Sequence, residues 1–130
     1  MKVTAQLNNI RIAQRKVKLT ADLIRGLDVE DAKNQLNVAI KKSSPLIKKL
    51  LDSAIANAEN NFGLDKTNLF VFDVTVGAGP TLRRWRARAY GRAARILKRT
   101  SNIEIILEER VEGKGRKSKG GKWGNPYRFF

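Results

Sequence analysis

Residues 74–103 contain no Asp or Glu. Eight cations crowd the middle of that window: Arg83, Arg84, Arg86, Arg88, Arg92, Arg95, Lys98 and Arg99. A stretch of this composition cannot be buried, because each unpaired charge carries a desolvation penalty of several kcal/mol. Left bare in water it repels itself. It must therefore project from whatever core the chain builds and find its counter-charge elsewhere. The whole chain has a formal net charge of +15 over 130 residues. The loop accounts for +8, and residues 112–130, with six cations and one acid, for +5. Only +2 remains for everything else. A nearly neutral body with two cationic projections predicts a polyanionic partner. Arg dominates the loop, and its planar guanidinium can donate two parallel hydrogen bonds to a phosphate.

The rest of the composition narrows the function classes. There is no cysteine and no histidine. Disulfides, the common zinc sites and His-dependent acid/base chemistry are thereby ruled out, and a reducing compartment is expected. No apolar run approaches a membrane span or a secretory signal, so a cytoplasmic protein without membrane contact is expected. The carboxylates are scattered and form no catalytic pair. Gly77-Ala78-Gly79-Pro80 is a turn signal and only a weak phosphate-loop signal. The chain reads as a binding protein rather than an enzyme, with no cofactor and no metal.

The chain reads as one domain over residues 1–111, and the periodicities place its strands and helices. Val3–Ile12 alternates loosely and reads as a strand at a sheet edge. Gln14–Arg25 carries a helical stripe through Val17, Ala21 and Ile24, stopped by Gly26. A second short helix starts near Asp28 and faces Ala32, Leu36 and Ala39 inward. The third is the strongest: Ser44 as N-cap, Pro45 at the first helical position, and an apolar face of Ile47, Leu50, Leu51, Ala54, Ile55 and Ala58. The period then drops to two in Leu69–Val76 and Ile103–Leu107. Between those strands the basic loop, about residues 77–99, is long enough to extend them as paired arms of roughly ten residues reaching about 30 Å. Gly91 fits a tight tip that needs positive φ. Residues 112–130 form a Gly/Lys/aromatic tail that cannot build its own core.

The run GPTLRRWRARAYGRAARILKRTSNI closely resembles the signature of the large-subunit ribosomal protein family numbered twenty-two, in its bacterial form. ADLIRG (Ala21–Gly26) and KLLDSAIANAENN (Lys49–Asn61) resemble the same family in the same order, and the likeness covers Lys2 to Arg110. The resemblance implies a small α+β body of three antiparallel strands packed with three helices, with a long protruding basic β-hairpin around Arg83–Arg95. It also implies direct binding to large-subunit ribosomal RNA, support of early subunit assembly, and a hairpin tip that lines the nascent-peptide exit tunnel. Neighbouring large-subunit proteins, and the nascent peptide at the tip, are the further partners implied; a homo-oligomer is not expected. The sequence departs from the family pattern at Ala13-Gln14 (commonly Ser-Pro), Ala87 (commonly Pro), Tyr90 (commonly basic) and Asn102 (frequently His). Its tail is longer than the bacterial pattern.

Candidate RNA-binding residues are the eight loop cations with Trp85, then Arg11, Lys16, Lys18 and Arg25 near the first helix, and Lys114, Arg116, Lys117, Lys119 and Lys122 in the tail. Arg88, Ala89, Tyr90, Gly91 and Arg92 make up the candidate tunnel-lining tip. Trp85 and Tyr90 fit either packing across the hairpin or stacking on an unpaired base. An architectural DNA-binding protein with a basic β-ribbon arm is the competing reading.

Overall fold

A computed structural model describes residues 1–110. The order of elements is β1 (Lys2–Ile10), α1 (Gln14–Ile24), α2 (Val29–Val38), α3 (Ser44–Phe62), β2 (Leu69–Ala78), β3 (Leu82–Ala87), β4 (Ala93–Lys98) and β5 (Ser101–Glu109). β1, β5 and β2 form one antiparallel sheet in that spatial order; β3 and β4 form a separate two-stranded ribbon. The α+β class and the edge position of β1 match the sequence reading. The last strand occupies the centre of the sheet.

All three helices lie on one face of the sheet. Alternate residues of each strand point toward them, with one bulge in β2 between Val71 and Asp73: Val3 and Ala5 from β1, Val71, Val74 and Val76 from β2, and Ile103, Ile105 and Leu107 from β5 are buried. The helices answer with Val17, Ala21 and Ile24, with Ala32 and Leu36, and with Ile47, Leu50, Leu51, Ala54, Ile55 and Ala58. The period-two and period-3.6 stripes of the sequence therefore meet in one core. The open face of the sheet has no helix over it among the described residues.

Element ends differ from the sequence reading for identifiable reasons. β1 stops at Ile10 because Asn9 takes a left-handed conformation (φ 60°), and the register slips between Leu7 and Ile10. The Asn9 N–H donates to the Asn102 side-chain oxygen at 3.0 Å. Ala13 gives α1 no side-chain cap. Gln14 instead anchors the helix start, donating from Nε2 to the Val76 carbonyl at 3.1 Å. Ser43, not Ser44, stands at the N-cap of α3, and its hydroxyl does not cap. It is held in a buried 2.7 Å hydrogen bond with the Thr20 hydroxyl of α1. Gly63 closes α3 in the left-handed conformation, with its N–H on the Glu59 carbonyl. A single 3₁₀ turn then begins at Asp65, whose carboxylate accepts the Thr67 N–H and is held below its ordinary pKa by that bond. Gly26, Leu27 and Asp28 pair with the outer edge of β2 around Phe70 and Val71.

A basic hairpin and the groove at its base

The acid-free segment folds back on itself as expected, but in two stages. β2 and β5 stay paired to Ala78 and Ser101. The ladder then breaks and resumes at Leu82 and Lys98, so the paired arms are six residues long rather than ten. At about 3.3 Å per residue each arm spans roughly 20 Å. The break has a cause: Pro80 has no N–H to donate. It also has a specific clasp. The Gly79 N–H donates to the Thr100 carbonyl at 2.9 Å, and the Thr100 hydroxyl donates back to the Pro80 carbonyl. A Cβ at Gly79 would sit 2.6 Å from that hydroxyl oxygen, so the two strands approach this closely only over a glycine. The Gly-Ala-Gly-Pro sequence thus serves as the joint between body and hairpin.

Residues directly opposed in an antiparallel ladder share a face. Arg83 opposes Leu97, Trp85 opposes Arg95, and Ala87 opposes Ala93 on one face. Leu82 opposes Lys98, Arg84 opposes Ile96, and Arg86 opposes Ala94 on the other. Cations therefore stand on both faces of the ribbon. None of them joins an ion pair of the described residues, which fall in the body: Arg25 with Asp22 and Asp73, Lys33 with Asp52, Arg110 with Asp28. The tip is a tight turn in which Tyr90 (φ 61°) and Gly91 (φ 67°) are both left-handed, the requirement of a type I′ hairpin turn. Arg88 N–H donates to the Arg92 carbonyl at 2.7 Å below it. Arg88 and Arg92 flank the tip, Ala89 precedes the tyrosine, and the Tyr90 ring is 98% exposed. Trp85 is 67% exposed and opposes Arg95, not Tyr90.

The hairpin base opens onto a groove. Arg11, Ala13, Leu82, Arg84, Leu97, Lys98 and Arg99 line a concavity of about 590 Å³. It runs on, through Arg11 and Ala13, into a second of about 400 Å³ that adds Lys16, Leu19, Lys41 and Lys42. Seven cations and no carboxylate line the two together. Arg11 and Lys16 thus join the hairpin residues. Lys18 does not: two residues along a helix is a rotation of about 200°, which turns it away from Lys16. Arg25 is also apart, donating to Asp22 at 2.6 Å, to Asp73 at 2.8 Å and to the Val74 carbonyl at 2.6 Å. It clips α1 to β2, so its charge is already matched inside the body. Lys41 and Lys42 were not among the sequence candidates. The Lys-Lys pair just before the α3 start was the available signal, but only folding brings it beside Arg11. Lys114, Arg116, Lys117, Lys119 and Lys122 lie outside the described residues.

Among the described residues there is no cluster of His, Cys, Asp and Glu able to hold a metal. No helix among them is long and apolar enough to cross a membrane. What the site offers is a double-sided cationic ribbon rising from a cationic groove, a geometry for gripping a phosphate backbone. A model of the family described as ribosomal protein L22p/L17e matches residues 5–108. The chain belongs to that family. It is also similar to the large ribosomal subunit protein uL22 of Mycoplasmopsis agalactiae, 57% identical over 101 residues, which cover 78% of this chain and 89% of that protein. The L22p/L17e match spans the body, the joint and the whole hairpin, and it ends two residues before the last residue described.

Proposed function

We propose that this protein is a structural constituent of the cytoplasmic large ribosomal subunit that holds ribosomal RNA with its hairpin and the groove at the hairpin's base. Membership of the L22p/L17e family supports the role. The observation that carries the mode of binding is the distribution of charge over the ribbon. Arg83 and Arg95 stand on one face, Arg84, Arg86 and Lys98 on the other. A cationic ribbon lying on a flat polyanion would need charge on one face only. A ribbon charged on both faces is suited to a channel walled by phosphate all round, where every arginine finds a counter-ion and releases condensed cations. Arg11, Lys16, Lys41, Lys42 and Arg99 extend the contact onto the body. Threaded this way, the tip residues Arg88, Ala89, Tyr90, Gly91 and Arg92 come out on the far side of the RNA, at the wall of the exit tunnel and beside the nascent peptide. By clamping RNA from body to tip, the protein supports early subunit assembly; neighbouring ribosomal proteins complete its surroundings.

The test is sedimentation of large subunits in high salt from cells that carry a tagged copy of the chain. The protein is expected to stay with the subunit, and a variant with all eight loop cations replaced by Gln is expected to leave it. A wild-type chain that washes off as a free protein would refute the assignment. Replacing residues 88–92 by a two-residue Asn-Gly turn tests the tip. Subunits should still assemble while their response to tunnel-binding antibiotics changes.

A further inference from the structure

The helices cover one face of the three-stranded sheet, and the other face carries its own chemistry. Phe70 of β2 and Glu104, Ile106 and Glu108 of the central strand stand on it, and Phe72, in a β2 bulge, joins them through its contacts with Phe70 and Lys2. The two phenylalanine rings meet edge to face, with centroids 6.5 Å apart, and Phe72 remains 43% exposed. Both rings already attract cations. The Lys2 ammonium lies 3.9 Å from the Phe72 centroid, and the Arg110 guanidinium lies 5.0 Å from that of Phe70. We propose that the aromatic end of this chain's own segment 111–130, with Trp123, Tyr127, Phe129 and Phe130, docks on this face in the free protein.

Three observations select this occupant. The first is position: β5 ends at Glu109, and Arg110 already lies against Phe70, so segment 111–130 departs from one end of the face itself. The second is reach. The twelve residues 111–122 precede Trp123. Extended, they span about 40 Å, more than the roughly 30 Å length of the nine-residue β5, so the aromatics can double back over the whole sheet. Tethering at such short range supplies the high effective concentration that a separate partner lacks. The third is charge. Residues 112–130 carry a net +5. The hairpin and the groove are lined by cations and repel that segment. The open face carries Glu104 and Glu108, balanced by the Lys2 and Arg110 already over its rings, so it does not repel the docking end, whose one cation among the aromatics, Arg128, suits a carboxylate beside a ring. The Gly/Lys stretch between would stay outward, available to RNA.

The test uses the full-length chain with Trp85→Phe, so that Trp123 is the sole indole, and no RNA, which makes it independent of the ribosomal assignment. Trp123 emission is expected at shorter wavelength, and acrylamide quenching weaker, than in the same chain unfolded in urea. Both should be unchanged on dilution. Water-like emission in the folded chain would overturn the proposal. Protection that fades on dilution would place the segment on a second copy and would also overturn it. Adding Phe72→Glu and Ile106→Glu should return Trp123 to water; protection that survives in a folded double variant would mean a different docking place. Should that variant unfold, the Ile106 methyl resonance is the alternative readout. It should move when Trp123→Ser, Phe129→Ser and Phe130→Ser are introduced together, outside the body; a fixed resonance refutes docking at this face.

Discussion

If RNA surrounds the ribbon, both of its faces must contribute to the salt dependence of binding, and the ladder register says by how much. Arg84, Arg86 and Lys98 share one face; Arg83 and Arg95 share the other. None is held by a carboxylate of the body, so each is free to meet a phosphate. On binding, each phosphate contact steepens the slope of log affinity against log salt by roughly 0.7 for single strands and 0.9 for duplex. Replacing the three-cation face by Gln should therefore flatten the slope by about 2 to 2.7, and replacing the two-cation face by about 1.4 to 1.8. Over a fourfold rise in salt the first change removes roughly a twentyfold to fortyfold part of the affinity loss. Fluorescence anisotropy of labelled chain with purified large-subunit ribosomal RNA, measured from low to moderate salt, reads these slopes. Lys33→Gln is the control: its ammonium sits 2.9 Å from Asp52 in the body, and the slope should not move. A ribbon lying on one side of the RNA would lose slope with one face only. If either multiple substitution leaves the slope at its wild-type value, the surrounded geometry is wrong.

Gly79→Ala should strain the joint, because the new Cβ meets a Thr100 hydroxyl oxygen already committed to the Pro80 carbonyl; we expect a loss of about 1–3 kcal/mol in urea unfolding and weaker RNA binding, and unchanged values on both counts would show the joint is loose. Tyr90→Asn should stabilise the tip by about 1 kcal/mol, since Asn tolerates the left-handed conformation that a bulky side chain resists; slower amide exchange at Arg88 and Arg92 is the readout. Ser43→Ala should cost about 1–3 kcal/mol, because it leaves the buried Thr20 hydroxyl without its partner, and Thr20→Val combined with it should recover part of that loss in the same denaturation assay.

Local pattern was enough for much of this molecule. The six-residue apolar face of α3 needs only a 3.6-residue period to declare itself, and each of its members is buried. The separation of charge was legible for the same reason: a run of cations without acids is excluded from any core whatever the fold. The demand for positive φ at Gly91 belongs to the turn alone. The tertiary structure decided what depends on partners distant in sequence. The centre of the sheet went to β5, the last strand, because its Ile103, Ile105 and Leu107 are buried between two neighbours that the chain supplies much earlier. No local signal records such an order. Arg25 stands among the RNA-binding candidates of the sequence, and only folding brings Asp73, 48 residues away, to hold it. Ser43 took the cap position while its hydroxyl went to Thr20, a choice made by the packing of α1 on the start of α3. Lys41 and Lys42 became part of the groove only when that loop came to lie beside Arg11. Periodicity and composition act within a few residues and survive in the sequence as written. Charge pairing and groove shape depend on distances in space, which the chain acquires only by folding.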